Sequence, residues 1–204
     1  MPNLSILENH NLEVVEQFKL LGVIFQSNLR WQANTDFLCQ KAYSRLWMLR
    51  RLKSFGADQE SILDVYHKQV RCVLELNVAV WEPGLNQAQI KQLERVQKCA
   101  FYVIMGDQYF DYESAVKSLK SDKLSDRRLK LCLKFAKKCE KSTRFSNWFE
   151  PAEIITQPLP GTRSDKTAIQ RIYKPVTVRT DRYRDSPIPY LTELLEDYHQ
   201  RKIV

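Results

Sequence analysis

Seven cations fall within the 17 residues from Ser125 to Lys141, against two carboxylates. Arg127, Lys130, Lys134, Lys137 and Lys141 repeat at three- and four-residue steps, so on a helix they share one face. Such a stripe is about 20 Å long and suits a phosphate backbone. The same pattern also suits a plainly solvated face opposite Leu129, Cys132, Leu133 and Ala136, and spacing leaves both readings open. A second constellation mixes rings with cations: Lys41, Tyr43, Arg45, Trp47, Arg50, Arg51 and Lys53. Rings that stack on bases and cations that meet phosphates are the chemistry of nucleic-acid binding. Trp47 lies half a turn off the apolar face of its helix, so either the helix is packed on both sides or Trp47 is exposed for a partner; packing is the favoured expectation, because exposed Trp is uncommon.

Other chemistries find little material. Nucleophilic catalysis needs an activated Ser or Cys beside a base, and no G-x-S-x-G occurs. Cys39, Cys72, Cys99, Cys132 and Cys139 sit in helical patterns among apolar neighbours, which reads as buried structural thiols. No pair forms C-x-x-C, and His10, His67 and His199 are scattered, so no zinc set forms at close spacing. Two-metal phosphoryl transfer needs clustered carboxylates. No adjacent Asp-Asp pair exists, and the one acidic doublet is Glu196-Asp197. We therefore expect no catalytic residues and no metal ligands in this chain. His67, Trp81 and Trp148 are assigned no role.

The elements that must position these residues follow from 204 residues that are 44% hydrophobic and 27% charged, a globular composition. Only 5 glycines occur, against about 14 at the usual share of about 7%. Neither G-x-G-x-x-G nor G-x-x-x-x-G-K-[ST] is present. Apolar runs are too short to span a bilayer. Met1 to Asn11 lack the basic and apolar regions of a secretory signal, so an intracellular location is expected. The net charge is +8. It is concentrated in residues 34–150, where 21 basic groups face 14 acidic ones. A basic balance favours polyanionic partners.

The fold expected is mainly α, with an N-terminal β-hairpin, a bundle of about four to five helices and an irregular, Pro-containing C-terminal tail. Val14 to Gln26 is rich in β-branched and aromatic residues and is split by Gly22, as in paired strands. Asn34 or Thr35 is expected to cap a helix that runs to Phe55 and stops at Gly56. Asp58 caps the next, with Ile62, Tyr66, Val70, Val73 and Leu74 on one face. Its Val-rich continuation towards Trp81 has β character, and Pro83-Gly84 breaks it. Asn86 with Gln89 forms a capping-box variant for a third helix ending at Gly106. A short helix is expected over 111–119, and Ser125 is expected to cap a long one reaching Ser142. Six of the eight prolines lie beyond residue 150, so 151–186 reads as extended, with one short helix over 190–198. The expected divisions are 1–33, 34–150 and 151–204.

The stretch Phe18-Lys19-Leu20-Leu21-Gly22-Val23-Ile24-Phe25, followed by Leu29-Arg30-Trp31, resembles the F-K-Y-L-G-V-x-[ID] … L-x-W signature of non-LTR (LINE-type) retrotransposon reverse transcriptases. The segments Ser44–Leu52, Val80-Trp81-x-Pro83-Gly84-Leu85, Ile90–Lys98 and Leu124–Ala136 resemble the thumb and post-thumb region of that family. The tail Arg182-Tyr183-x-x-Ser186-Pro187-Ile188-Pro189-Tyr190-Leu191 resembles family C-termini. Leu20 stands where the family usually has Tyr, and the His that usually follows the Trp is missing.

The resemblance implies an end-of-palm hairpin over 1–33 and a helical thumb over 34–150. Phe18, Lys19, Leu20, Leu21 and Gly22 would be the primer-grip-like residues. Lys41, Arg45, Arg50, Arg51, Arg127, Lys130, Lys134, Lys137 and Lys141 would meet nucleic acid. The implied partner is an RNA/DNA primer–template duplex, together with fingers and palm supplied in cis or in trans. The implied Mg²⁺ belongs to the palm, whose Tyr/Phe-x-Asp-Asp motif this sequence lacks, so no cofactor is expected here and the chain alone is expected to be inactive. A non-catalytic helical protein-interaction module, or a decayed transposon remnant, is the alternative reading.

Overall fold

The computed structural model describes residues 14–152 and 172–203. Strand β1 (Gln17–Leu20) pairs antiparallel with β2 (Val23–Gln26), Leu20 opposite Val23 and Phe18 opposite Phe25. The loop is two residues long, and both have positive φ, Leu21 at 48° and Gly22 at 86°. That pair matches the right-handed twist of the strands, as in a type I′ turn. Gly22 adopts it freely, whereas Leu21 costs roughly 1–2 kcal/mol there. Asn77 offsets part of that cost by donating from Nδ2 to the Leu21 carbonyl at 3.0 Å.

Helix α1 (Gln32–Ser54) begins two residues before the expected caps, after Trp31 with φ 61°. Asn34 and Thr35 are buried in its first turn rather than capping it. The reason is the hairpin: Asn34 Oδ1 accepts the Ile24 N–H, which faces away from β1, at 3.1 Å. Trp31 lies against Gly84, where a Cβ would stand 2.5 Å from its Nε1. Only a residue without a side chain lets the ring come so close. The far end of α1 stops as expected, with Gly56 at φ 79°.

Asp58 caps α2 (Gln59–Val65), its Oδ2 accepting the Ser61 N–H at 2.9 Å. The chain continues through a π-helical stretch (Tyr66–Arg71) into α3 (Cys72–Leu74), then α4 (Val78–Trp81). The expected β character is not realised: Val70, Val73 and Val78 are buried, and packing overrides their weak helix propensity. A 3-10 turn (Glu82–Gly84) leads to α5 (Gln87–Met105), which opens on the complete Asn86/Gln89 capping box and ends at Gly106. Helix α6 (Tyr112–Ser118) is capped by Asp111.

Helix α7 spans Leu124–Glu140 and its N-cap is Lys123, not Ser125. The cap comes from another helix. Glu94 of α5 accepts the Ser125 N–H at 2.6 Å and the Tyr112 hydroxyl at 2.5 Å. A carboxylate there also complements the helix dipole.

After the isolated bridge Pro151–Tyr173 and a short α8 (Asp181–Arg184), α9 runs over Pro187–Ile203. It is longer than the expected 190–198 and packs on α7, with Leu191 and Leu195 fully buried. Glu196 holds the returning chain by accepting the N–H groups of Ile172 and Tyr173, each at 2.9 Å. The Tyr173 hydroxyl donates to Glu140 of α7. The part of the expected extended tail between 153 and 171 lies outside the described residues.

Candidate nucleic-acid interface

Helices α1 and α5 lie side by side and run the same way. Gln92 Nε2 donates to Asp36 Oδ1 at 2.7 Å near their starts. Lys53 Nζ donates to the Val103 carbonyl at 2.8 Å near their ends. Lys53 thus satisfies a terminal carbonyl of α5, where a cation also meets the negative end of the dipole. Midway, Tyr43 faces α5. Burial, then the neighbouring Cys99, raises its phenol pKa, while Arg95 lowers it.

The outward side of this pair alternates rings and cations. On α1, Tyr43, Trp47 and Arg50 follow four- and three-residue steps, with Arg51 beside them, and all four are exposed. Trp47 is 61% exposed, which overturns the expectation that it packs. The inner face of α1 is already filled by Ala42, Leu46 and Leu49. On α5, Lys91, Arg95, Lys98 and Tyr102 repeat at 4–3–4 spacing and are exposed, Tyr102 at 62%. Tyr102 is braced edge-on by Tyr109 at 5.5 Å, and Arg51 covers Phe55 at 4.8 Å.

Beyond Asp36, which is exposed at the start of α1, the charge on this face is of one sign. No acidic residue occurs between Asp36 and Asp58. The only acid within α5 is Glu94, turned inward to Ser125 and Tyr112. Among the described residues, Lys41, Arg50, Arg51, Lys91, Arg95 and Lys98 make no ion pair. Lys98 lies 5.0 Å over the Tyr112 ring and Arg51 covers Phe55, while Arg50, Lys91 and Arg95 keep their full attraction for a polyanion.

The α7 stripe has a different fate. Arg127 pairs with Glu75 at 3.1 Å and Lys130 with Asp122 at 2.8 Å. Lys137 sits 3.3 Å above the Tyr198 ring of α9. Lys134 and Lys141 remain exposed. Arg128 is fully buried against Glu82. On α1, Arg45 is also engaged, donating to the Gln69 carbonyl at 2.5 Å. Lys41 projects freely apart from a distant approach to the Phe37 ring.

The hairpin residues stand apart from both helical faces. Lys19 Nζ lies 4.2 Å above the Phe37 ring. Phe18 stacks on Phe25 at 5.2 Å, and Phe25 meets Trp31 edge-on. Leu20 and Leu21 are exposed, Leu21 at 85%, around the Gly22 turn. Gln17 and Lys19 turn their backbone groups to the open side of β1, since the paired side belongs to Phe18 and Leu20.

Sequence reasoning missed Lys91, Arg95, Lys98 and Tyr102. Their 4–3–4 spacing was available, but it was overshadowed by the denser cations of α7. The cysteines divide: Cys39, Cys132 and Cys139 are buried as expected, while Cys72 is exposed. Burial is the main cause that raises Cys39 to about 11 and Cys132 to about 12, so both are thiols at neutral pH. Among the described residues, no cluster of three or more His, Cys, Asp or Glu could hold a metal ion, and no helix is long and apolar enough to cross a membrane. No family model, no curated protein and no solved structure matches the chain.

Proposed function

We propose that this chain is a thumb-like nucleic-acid-binding module of a non-LTR retrotransposon reverse transcriptase, acting inside the cell on a primer–template duplex. The observation that carries the reading is the face of α1 and α5 beyond Asp36, where exposed rings and cations follow with no acid before Asp58, reached directly from the hairpin with the Phe18–Phe25 signature. The hairpin would approach the primer end, and the helical face would hold the phosphates. Polymerisation would need carboxylates from a palm, and the Mg²⁺ they hold, because this sequence has no Asp-Asp pair. The exposed apolar hairpin residues Phe18, Leu20 and Leu21 support a protein neighbour at that end, compatible with a palm in cis or in trans.

The test is binding of an RNA-template/DNA-primer hybrid by fluorescence anisotropy across a salt series. Phosphate contacts release counterions, so log affinity falls by roughly 0.9 per phosphate for each unit of log salt. The proposal expects a steep negative slope. Absence of binding at low salt, or a slope near zero, overturns it and leaves the protein-interaction reading.

A further inference from the structure

We propose that the α1–α5 face is a stacking platform for single-stranded nucleic acid, with Trp47 and Tyr102 holding bases and Arg50, Arg51, Arg95 and Lys98 holding the intervening phosphates. This rests on the reading of the chain as a nucleic-acid binder and assigns the face to the single-stranded template beyond the primer–template duplex.

The exposed rings favour single strands over duplex. Trp47 and Tyr102 are more than half exposed, and each has cations beside it on its own helix. Base faces inside a duplex are covered by their neighbours, so a flat exposed ring finds no stacking partner there except at an end. A single strand offers a free π-face at every base, and stacking on it tolerates any sequence.

The order along the helices also fits. Trp47 is followed within a turn by Arg50 and Arg51, and Arg95 and Lys98 are followed by Tyr102. Ring and cation alternate as base and phosphate do in a nucleotide chain. The Arg guanidinium groups can also lie flat on bases themselves. An acidic protein segment would satisfy the cations but would give the rings no aromatic partner. Along α1 the platform from Tyr43 to Phe55 extends about 18 Å at 1.5 Å per residue.

The platform is also ready-made. Its cations carry no carboxylate to displace, and Tyr109 behind Tyr102 limits the motion of that ring. The Tyr102 ring therefore loses little freedom when a base stacks on it. The inner faces of both helices are packed, so substitution of the outward rings leaves the core intact.

The experiment titrates the full chain into a fluorescent oligothymidylate and into a blunt duplex of equal length, over a salt series. Four phosphate contacts on a single strand give a log–log slope of about −3. Trp47→Ala and Tyr102→Ala are each expected to weaken single-strand binding by at least about fivefold, and Trp47→Phe to restore most of it. Arg95→Glu is expected to weaken binding and to make the slope shallower by about 0.7. Circular dichroism melting confirms that each variant is folded. Single-strand affinity unchanged in Trp47→Ala and Tyr102→Ala overturns the proposal. So does tighter binding of the duplex with the same indifference to these rings, although the primer–template reading would then survive. Displacement of the oligothymidylate by polyglutamate as readily as by unlabelled oligothymidylate, with no rescue in Trp47→Phe, also overturns it, in favour of an acidic protein partner. Loss of all salt-dependent binding to both probes would instead remove the underlying reading.

Discussion

Arg128 sits fully buried between α7 and the Glu82–Gly84 turn, donating from Nε to Glu82 Oε2 at 2.6 Å. Its two terminal amino groups have no hydrogen-bond partner among the described residues. Burial pushes the Glu82 carboxyl above its ordinary range while Arg128 pulls it down. A buried pair of this kind adds little net stability, because desolvation offsets the attraction, but losing one partner strands the other. Glu82→Ala is therefore expected to cost about 3–5 kcal/mol in urea unfolding. The double change Glu82→Leu with Arg128→Met is expected to recover most of that loss. A single-variant cost under about 1 kcal/mol would mean that Arg128 is solvated rather than stranded. Spacing places Arg128 in line with Leu124, Cys132 and Ala136, on the buried face, whereas Arg127 belongs to the cationic stripe, but no sequence signal names the partner of Arg128. Both are cations in a basic run, and Glu82 arrives from another element to pair with the buried one.

At the scale of elements, local signals succeeded where the helix supplies its own cap. Asp58 and Asn86 with Gln89 accept the expected backbone N–H groups, and Asp111, expected only as the start of a short helix, is its cap. They failed where the cap is tertiary. Ser125 has the right residue type, yet Glu94 serves α7 from a helix 31 positions earlier. Asn34 likewise has a capping side chain that a strand N–H claimed instead. Local pattern cannot reveal such a partner, because it depends on how the helices pack. Asn86→Ala is accordingly expected to cost about 1 kcal/mol, whereas Ser125→Ala stays within about 0.5 kcal/mol. Thermal or urea unfolding checks the pair, and equal losses would contradict the assignment of Glu94 as the cap. The candidate site was half legible for the same reason. Arg50 and Arg51 were read correctly as outward cations. The fate of Arg45, Arg127, Lys130 and Lys137 depended on partners in other elements. Trp47 was misjudged because its exposure runs against the habit of its residue type.

The whole molecule carries its +8 charge unevenly. Acidic side chains reach α7 from Glu75, Glu82 and Asp122, and α9 covers another of its sides. The outward face of α1 and α5 receives no such neutralisation. Among the described residues, exposed cations without an ion pair also occur on α7, at Lys134, Lys138 and Lys141, and the α1–α5 face differs in an aromatic ridge that adds contacts charge alone does not supply.

The most direct measurement compares two charge-reversed chains that change the net charge equally. One carries Arg50→Glu, Arg51→Glu and Arg95→Glu on the α1–α5 face. The other carries Lys134→Glu, Lys138→Glu and Lys141→Glu on α7. Each is titrated against an RNA–DNA hybrid with a single-stranded template overhang, across salt. The account predicts that the first loses most of its affinity and that its log–log slope shrinks by roughly 2–3. The second should keep its affinity within a few-fold and its slope nearly unchanged. Equal losses in both, or a greater loss in the α7 variant, would contradict the assignment of the α1–α5 face as the nucleic-acid surface.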